Sequence, residues 1–239
     1  MLRVKEAVGH PPNHLRPHAD LAERVLLPGD PHRALAVAQE VLEAPKIFNH
    51  ARGLWGYTGV APDGELMSVQ ATGMGGPSAA IVIEELIGLG AQVLVRIGTC
   101  GAFDSSLSLG QLVTADRVLS GDGASRALGA PEVQVPDGGL TAAIKAAGGG
   151  PGVCCVSSDL FYDSRPPPPG AQVVEMEAAV LCRIAELRGV RAACLLAVSD
   201  VIGSGRERLD AEAMTAAGLE LGRVAVEALA QPLAREEHG

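Results

Sequence analysis

Along this chain, short and wholly apolar runs alternate with longer stretches in which apolar residues recur every three or four positions. The first kind reads as strands buried on both faces, the second as helices that cover them. Val25 to Leu27 predicts a strand closed by Pro28-Gly29-Asp30; Pro31 then suits a helix start, and Ala34 to Leu42 continues that helix. Gly53 to Val60 and Leu66 to Ala71 predict two strands about the turn Pro62-Asp63-Gly64. The glycine-rich Thr72-Gly73-Met74-Gly75-Gly76-Pro77-Ser78 leads into a helix from Ala79 to Leu89, stopped by Gly90. Val93 to Ile97 is an apolar strand with Arg96 near its end, running into a tight turn at Gly98-Thr99-Cys100-Gly101. Leu112 to Val118, Val153 to Val156 and Ala192 to Val198 predict further strands, and Glu177 to Leu187 and Ala211 to Ala230 further helices. Pro166 to Pro169 belongs to a surface loop, because proline fits neither helix nor sheet interior.

This alternation implies an α/β fold: a single domain whose central, mixed and mostly parallel sheet is flanked by helices. With 239 residues there is room for one such domain over 21–239, behind a polar arm or loop rich in Pro and His over 1–20. Ligands of such sheets sit just beyond the carboxyl ends of strands, so candidate chemistry is sought there.

Composition narrows the search. Hydrophobic residues make up 47% of the chain, yet there are only three Phe, two Tyr and one Trp, so the core is aliphatic and an aromatic ring near a motif becomes a candidate for stacking. A formal net charge of -9 argues against a nucleic-acid surface, and an acidic protein that binds an anion must gather its few Arg locally. No apolar run reaches the roughly 18–20 residues of a membrane span, and the N-terminus lacks a signal-peptide core. Cys154 and Cys155 are adjacent, which suits neither a bridge nor C-x-x-C metal ligation; no metal is expected, and the five cysteines fit a reduced, cytoplasmic setting.

Three places join a glycine turn to an Arg: Gly29-Asp30-Pro31-His32-Arg33, Arg96-Ile97-Gly98-Thr99, and Arg52 in Asn49-His50-Ala51-Arg52-Gly53. Glycine lets backbone N–H groups approach an anion, a following helix adds its positive terminus, and the Arg adds a planar fork of donors. Taken singly, Arg33 is as readily a solvated helix residue, Arg52 a loop charge, and Arg96 the partner of an internal carboxylate. The loop at Gly73 spells neither G-x-G-x-x-G nor a P-loop, which argues against dinucleotide or ATP binding.

Read together, the segments closely resemble the hexameric nucleoside phosphorylases, a superfamily that includes uridine phosphorylase and methylthioadenosine nucleosidase. The matching pieces are Leu27 to Ala34, Arg52 to Gly59, Thr72 to Ser78, Val95 to Ala102, Ser157 to Tyr162, Val174 to Ala178 and Val198 to Asp200. They occur in family order across nearly the whole chain. The resemblance implies phosphorolysis of a purine nucleoside to free base and ribose 1-phosphate, with inorganic phosphate as co-substrate and no cofactor, in a homohexamer built as a trimer of dimers. It assigns Gly29, Arg33, Arg96 and Thr99 to phosphate, with Arg52 reaching the phosphate of a neighbouring subunit. His14 is similar to the residue that crosses the same interface to the ribose, with His18 its competitor; Met176 and Glu177 match the ribose-binding pair. Phe161, with Val174, Glu175 and Ser199, falls on the base side, and Asp200 matches the acid that protonates the purine.

The chemistry accounts for these residue types. Bond cleavage builds positive charge on the sugar and negative charge on the base, so an acid at N7 and an anion at the sugar both assist. Arg forks hold phosphate in a defined pose, and a carboxylate accepting from two ribose hydroxyls keeps the reacting atoms close. Gly73 to Ser78 and Asp122 to Ser125 are as similar to the uridine enzymes as to the purine ones. However, the Gln with which the uridine enzymes read uracil is missing from Asp163-Ser164-Arg165-Pro166-Pro167, and Ser199-Asp200 is the purine-type ending. A uridine-, methylthioadenosine- or adenosine-directed enzyme is the alternative. Where purine enzymes carry a helical Arg that swings toward the acid, this chain has Met214, leaving Arg206 or Arg208 as substitutes.

Overall fold

A computed structural model describes residues 12–202 and 207–230. Alternation along the first strand already sets out the layers. In β1 (Arg24–Leu27), Leu26 faces one side of the sheet while Val25 and Leu27 face the other. Leu26 packs with the helices α1 (Pro31–Val41), α4 (Gly138–Ala146) and α6 (Ala211–Ala230). Val25 and Leu27 pack with α2 (Gly76–Gly88) and α5 (Ala178–Arg188). The chain is thus an α/β domain with a central sheet flanked by helices. Among the described residues, no helix is long and apolar enough to cross a membrane.

The sheet is mixed. The strands β4 (Leu66–Gln70), β1, β5 (Val93–Ala102) and β10 (Arg191–Val201) run parallel to one another. β6 (Leu112–Ser120), β8 (Gly152–Ser157) and β9 (Val173–Glu175) form a second parallel group. This group meets the first antiparallel at both ends, β6 on β10 and β9 on β5, so five strands close into a ring. A third apolar cluster, including Cys100, Val113, Cys155, Cys182, Cys194 and Val198, joins this ring to α5.

Several elements differ from the sequence reading. β5 does not turn at Gly98 but continues to Ala102, because pairing to β10 extends that far. β2 (Glu43–Asn49) was not expected in a polar stretch containing Pro45; it pairs antiparallel with β3 (Gly56–Val60) through an irregular register, as a proline-bearing edge strand does. A single turn at Ala51–Gly53 separates these two strands, where β3 was expected to begin. The short β7 (Val133–Gln134), α3 (Gly123–Ala127), β9 and α4 also went unpredicted, since two- to nine-residue elements carry little periodicity. Asp122 and Asp137 cap α3 and α4 by accepting from Ser125 and Leu140 N–H.

Two glycines let α6 lie close on α1. A Cβ at Gly222 would stand 2.7 Å from Val37, and one at Gly218 3.3 Å from the shaft of Arg33. The described part of the arm is tied to α2. Glu85 accepts from the N–H groups of Asn13 (3.0 Å), His14 (3.0 Å) and Leu15 (2.7 Å), and its Oε1 lies 2.7 Å from His14 Nδ1. Leu15 is buried in the α2/α5 cluster.

Glu85 generates a prediction. Burial pushes its carboxyl up, but the Leu15 N–H, the His14 ring and the neighbouring N–H groups outweigh this and hold it below the ordinary range. Its contribution is therefore complete above the unfolded-chain value of 4.5 and is lost as pH falls through the depressed folded value. Glu85→Ala, which leaves several partly buried donors unsatisfied, is expected to cost about 1–3 kcal/mol. Urea unfolding at neutral pH should show that loss, and amide exchange should speed up at Asn13 to Leu15. An unchanged midpoint with unchanged exchange would show that the arm is held some other way.

Candidate active site

A cavity of about 420 Å³ opens at the carboxyl ends of β1, β5 and β10, beside the start of α5. That volume suits a small organic ligand. Gly29, Arg33, Arg96, Thr99, Phe161, Val174, Glu175, Met176, Glu177, Ser199 and Asp200 all border it, so eleven of the thirteen candidate residues converge on one place. Arg52 and His14 do not. Arg52 sits exposed in the turn Ala51–Gly53, and His14 is held on Glu85.

The charged end is organised by Arg96. It is buried on β5, with Nε 2.7 Å from Glu175 Oε2 and Nη2 paired to Glu177 Oε2. Burial alone would lower its pKa; Glu177 and then Glu175 outweigh burial and raise it, so the guanidinium stays charged. The side chain lies back along its own strand, over the residue two positions on: a Cβ at Gly98 would fall 2.8 Å from Arg96 Nη2. Gly98 is therefore required by the guanidinium rather than by a turn. Nη1 is buried and has no hydrogen-bond partner among the described residues. Such an orphan costs on the order of 1–3 kcal/mol and marks a place for an acceptor.

Glu177 is the residue before α5. Its Oε1 accepts from Gly75 N–H at 2.5 Å, which pins the glycine-rich loop to the charged end. Burial pushes its carboxyl up, Arg96 pulls it down, and Glu175 reinforces the rise. Arg33, on the first turn of α1, is lowered by burial, raised by Asp30, lowered again by Arg96 and raised by Glu177, so it shares one field with the pair. Gly29 abuts the same loop: Gly73 N–H donates to Gly29 O at 3.0 Å, and a Cβ on Gly29 would lie 3.1 Å from Gly73 O.

The other end is mostly apolar, walled by Leu160, Phe161, Val174, Met176 and Ile202. Its polar feature is Asp200. Successive residues of a regular strand face opposite sides, yet Ser199 and Asp200 both border the cavity. A register shift between Val198 and Asp200 in the β10–β5 pairing accounts for this, since a bulge re-aims side chains. Ser199 Oγ lies 2.8 Å from Asp200 Oδ2 and 3.2 Å from the Cys100 carbonyl oxygen. Strand β11 (Glu207–Arg208) pairs antiparallel with β10 so that Arg208 faces Asp200, and Arg208 Nε is ion-paired to Asp200 Oδ1. The same guanidinium stands 5.6 Å from the centre of the Phe161 ring, within cation–π range. Of the two substitutes named for the missing helical Arg, Arg208 is in contact with Asp200, and Arg206 lies outside the described residues.

As site residues, sequence reasoning passed over Gly75 and Ser157, together with Leu160 and Ile202 of the apolar wall. Ser157 donates to Glu175 Oε1 at 2.5 Å. The sequence signal for Gly75 was the positive φ that a glycine-rich loop permits; Ser157 carried none beyond its place at a strand end.

The sequence profile of the phosphorylase superfamily matches residues 23–230. Among curated proteins, the chain is similar to the DeoD-type purine nucleoside phosphorylase of Geobacillus kaustophilus, 36% identical over 201 residues covering 79% of this chain and 85% of that one. The protein of the same name from Oceanobacillus iheyensis is 34% identical over 211 residues, covering 82% and 89%. That from Streptococcus uberis is 34% identical over 233 residues, covering 88% and 94%.

Gly98→Ala tests the packing of the charged end directly. The added methyl forces the Arg96 guanidinium off its strand, so protection by inorganic phosphate in thermal unfolding should need roughly tenfold more phosphate, about 1.4 kcal/mol of binding. An unchanged phosphate dependence would mean that Arg96 does not meet the anion.

Proposed function

The chain belongs to the phosphorylase superfamily, and from that footing we propose that it cleaves purine nucleosides with inorganic phosphate, yielding free base and ribose 1-phosphate. The observation that carries this reading is the pairing, on one cavity, of a buried Arg96 with an unsatisfied donor and a Glu177 carboxylate beside it. The first suits phosphate and the second suits vicinal hydroxyls. Curated relatives of the same length class are named purine nucleoside phosphorylases, which favours a purine over uracil.

In this reading, phosphate sits between Arg33, Arg96, Thr99 and the backbone at Gly29, and an oxygen of the anion attacks the anomeric carbon. Glu177 accepts from the 2′- and 3′-hydroxyls while Met176 packs against the sugar. The purine lies along Phe161, Val174 and Met176, and Asp200, oriented by Ser199 and Arg208, hands a proton to N7 as the glycosidic bond breaks. The C–N bond electrons pass to the base and the phosphate oxygen closes the new C–O bond, so charge and atoms balance with phosphate as the only co-substrate. Neither a metal nor an organic cofactor has a part in these steps.

The local charge supports a shared site. Arg33 and Arg96 are balanced by Glu175 and Glu177, and Asp30 adds a further negative group nearby. Among the described residues, a phosphate dianion there therefore meets no surplus cation from its own subunit. Arg52 is exposed on a left-handed turn residue (φ 59°), a costly conformation for Arg that holds it outward. A neighbouring copy lending Arg52 and His14 would supply further positive charge and a donor for the ribose. We assign the assembly to the homohexamer of the resemblance, three such dimers, working in the cytoplasm, where its five free cysteines stay reduced.

Incubation with inosine in the presence and absence of phosphate should release hypoxanthine only with phosphate; equal rates would discard phosphorolysis. Asp200→Asn should lower kcat on inosine and guanosine by about 10²–10⁴-fold while leaving phosphate protection intact. Full activity of that variant in a base-release assay would remove Asp200 from the chemistry.

A further inference from the structure

Glu175 borders the cavity, but its side chain has no exposed surface, so only its backbone meets the ligand space. The partners that hydrogen-bond or ion-pair with its carboxylate are all donors. Oε1 accepts from Ser157 Oγ at 2.5 Å and from Ala178 N–H at 3.0 Å. Oε2 accepts from Glu177 N–H at 2.7 Å and Ala178 N–H at 2.9 Å, and lies 2.7 Å from Arg96 Nε. Ser157 Oγ in turn accepts from Ala179 N–H at 2.8 Å. The pair is preset by register, since Ser157 on β8 stands opposite Glu175 on β9.

One carboxylate and one hydroxyl thus take up the N–H groups of Glu177, Ala178 and Ala179 at the start of α5, and the same carboxylate grips Arg96. The backbone that carries the sugar-facing carboxylate and the guanidinium that faces phosphate share one anchor. We propose that Glu175, held by Ser157, is a positioning residue that sets Arg96 and Glu177 relative to each other while touching neither substrate. This rests on the phosphorylase reading and deepens it, because Glu175 then serves both substrates from behind the site instead of contacting the base.

The anchor has room for a carboxylate only. A Gln at 175 turns an amide NH2 toward donors, and either way round it leaves an N–H facing an N–H. Arg96 then has Glu177 as its only carboxylate partner in the pair, and the Glu177 backbone loses its fixed start. Small misplacements of this kind cost on the order of tenfold. Glu175→Gln should therefore raise the KM for phosphate and the KM for inosine together, each by about tenfold. Ser157→Ala keeps the carboxylate but loses the hydroxyl's bonds to Glu175 and to Ala179 N–H, and should move both constants in the same direction by about threefold.

The experiment is steady-state kinetics with each substrate varied, alongside thermal unfolding in graded inorganic phosphate, on the full chain and both variants. A joint rise in the two KM values supports the proposal. KM values unchanged in both variants while the unfolding temperature falls would mean a structural role only, and would overturn it. If Glu175→Gln does not fold, Ser157→Ala decides alone, an unchanged phosphate KM overturning it. If the unaltered protein releases no base with phosphate, the phosphorylase reading fails by itself. The phosphate-induced rise in unfolding temperature then decides the positioning role: a smaller rise in the variants supports it, and an equal rise, or none in any of the proteins, overturns it.

Discussion

A guanidinium buried in the middle of a strand is the constraint from which most of this molecule's local structure follows. Arg96 cannot lie in a sheet without carboxylates, and the two that meet it come from a short strand and the helix that starts just beyond it. Strand β9 must therefore run beside β5, which closes the ring, and α5 must begin where Glu177 can turn back toward the cavity. The residue two ahead of Arg96 on the same face has to be glycine, since the guanidinium occupies the space of its side chain. The glycine-rich loop is drawn in as well, because Glu177 needs a second donor and takes the Gly75 N–H. A buried charge network of this kind adds little to stability by itself and much to geometry.

What could be read in the sequence was whatever had a strong local period or a chemically odd residue. The apolar strands and long helices were placed within a few residues, and Arg96 stood out because a charge interrupted an apolar run. The glycines around it were read as a turn, which was wrong for a physical reason: a glycine that bends the chain and a glycine that clears room for a neighbour look alike in one sequence. The edge strand β2 and the three-residue β9 depend on pairing with distant partners, and nothing local announces them. The same limit hid the bulge at Ser199-Asp200, which exists only relative to β5.

The acid end shows a local solution to a missing part. The C-terminal helix offers Met214 where an Arg was looked for, and among the described residues a guanidinium reaches Asp200 from β11. Arg208 is placed by strand register, directly across from Asp200, and spans to the Phe161 ring at the mouth. Asp200 and the Phe161 ring are thereby linked through one guanidinium.

The charged end and the acid end differ in how complete they are. Asp200 has its orienting groups within one chain, and Glu175 has a donor for every lone pair it presents. The anion-facing side does not balance in this way: its two Arg are already matched by carboxylates, and Nη1 of Arg96 waits for an acceptor that would bring further negative charge. Adding a dianion to a neutral buried set is favourable only if another cation accompanies it, because in a low-dielectric site the excess charge would otherwise be unpaired. That requirement gives physical content to the exposed Arg52 on its left-handed turn. The chain holds that cation away from its own cavity, at a conformational cost, where the described Arg and carboxylates already balance.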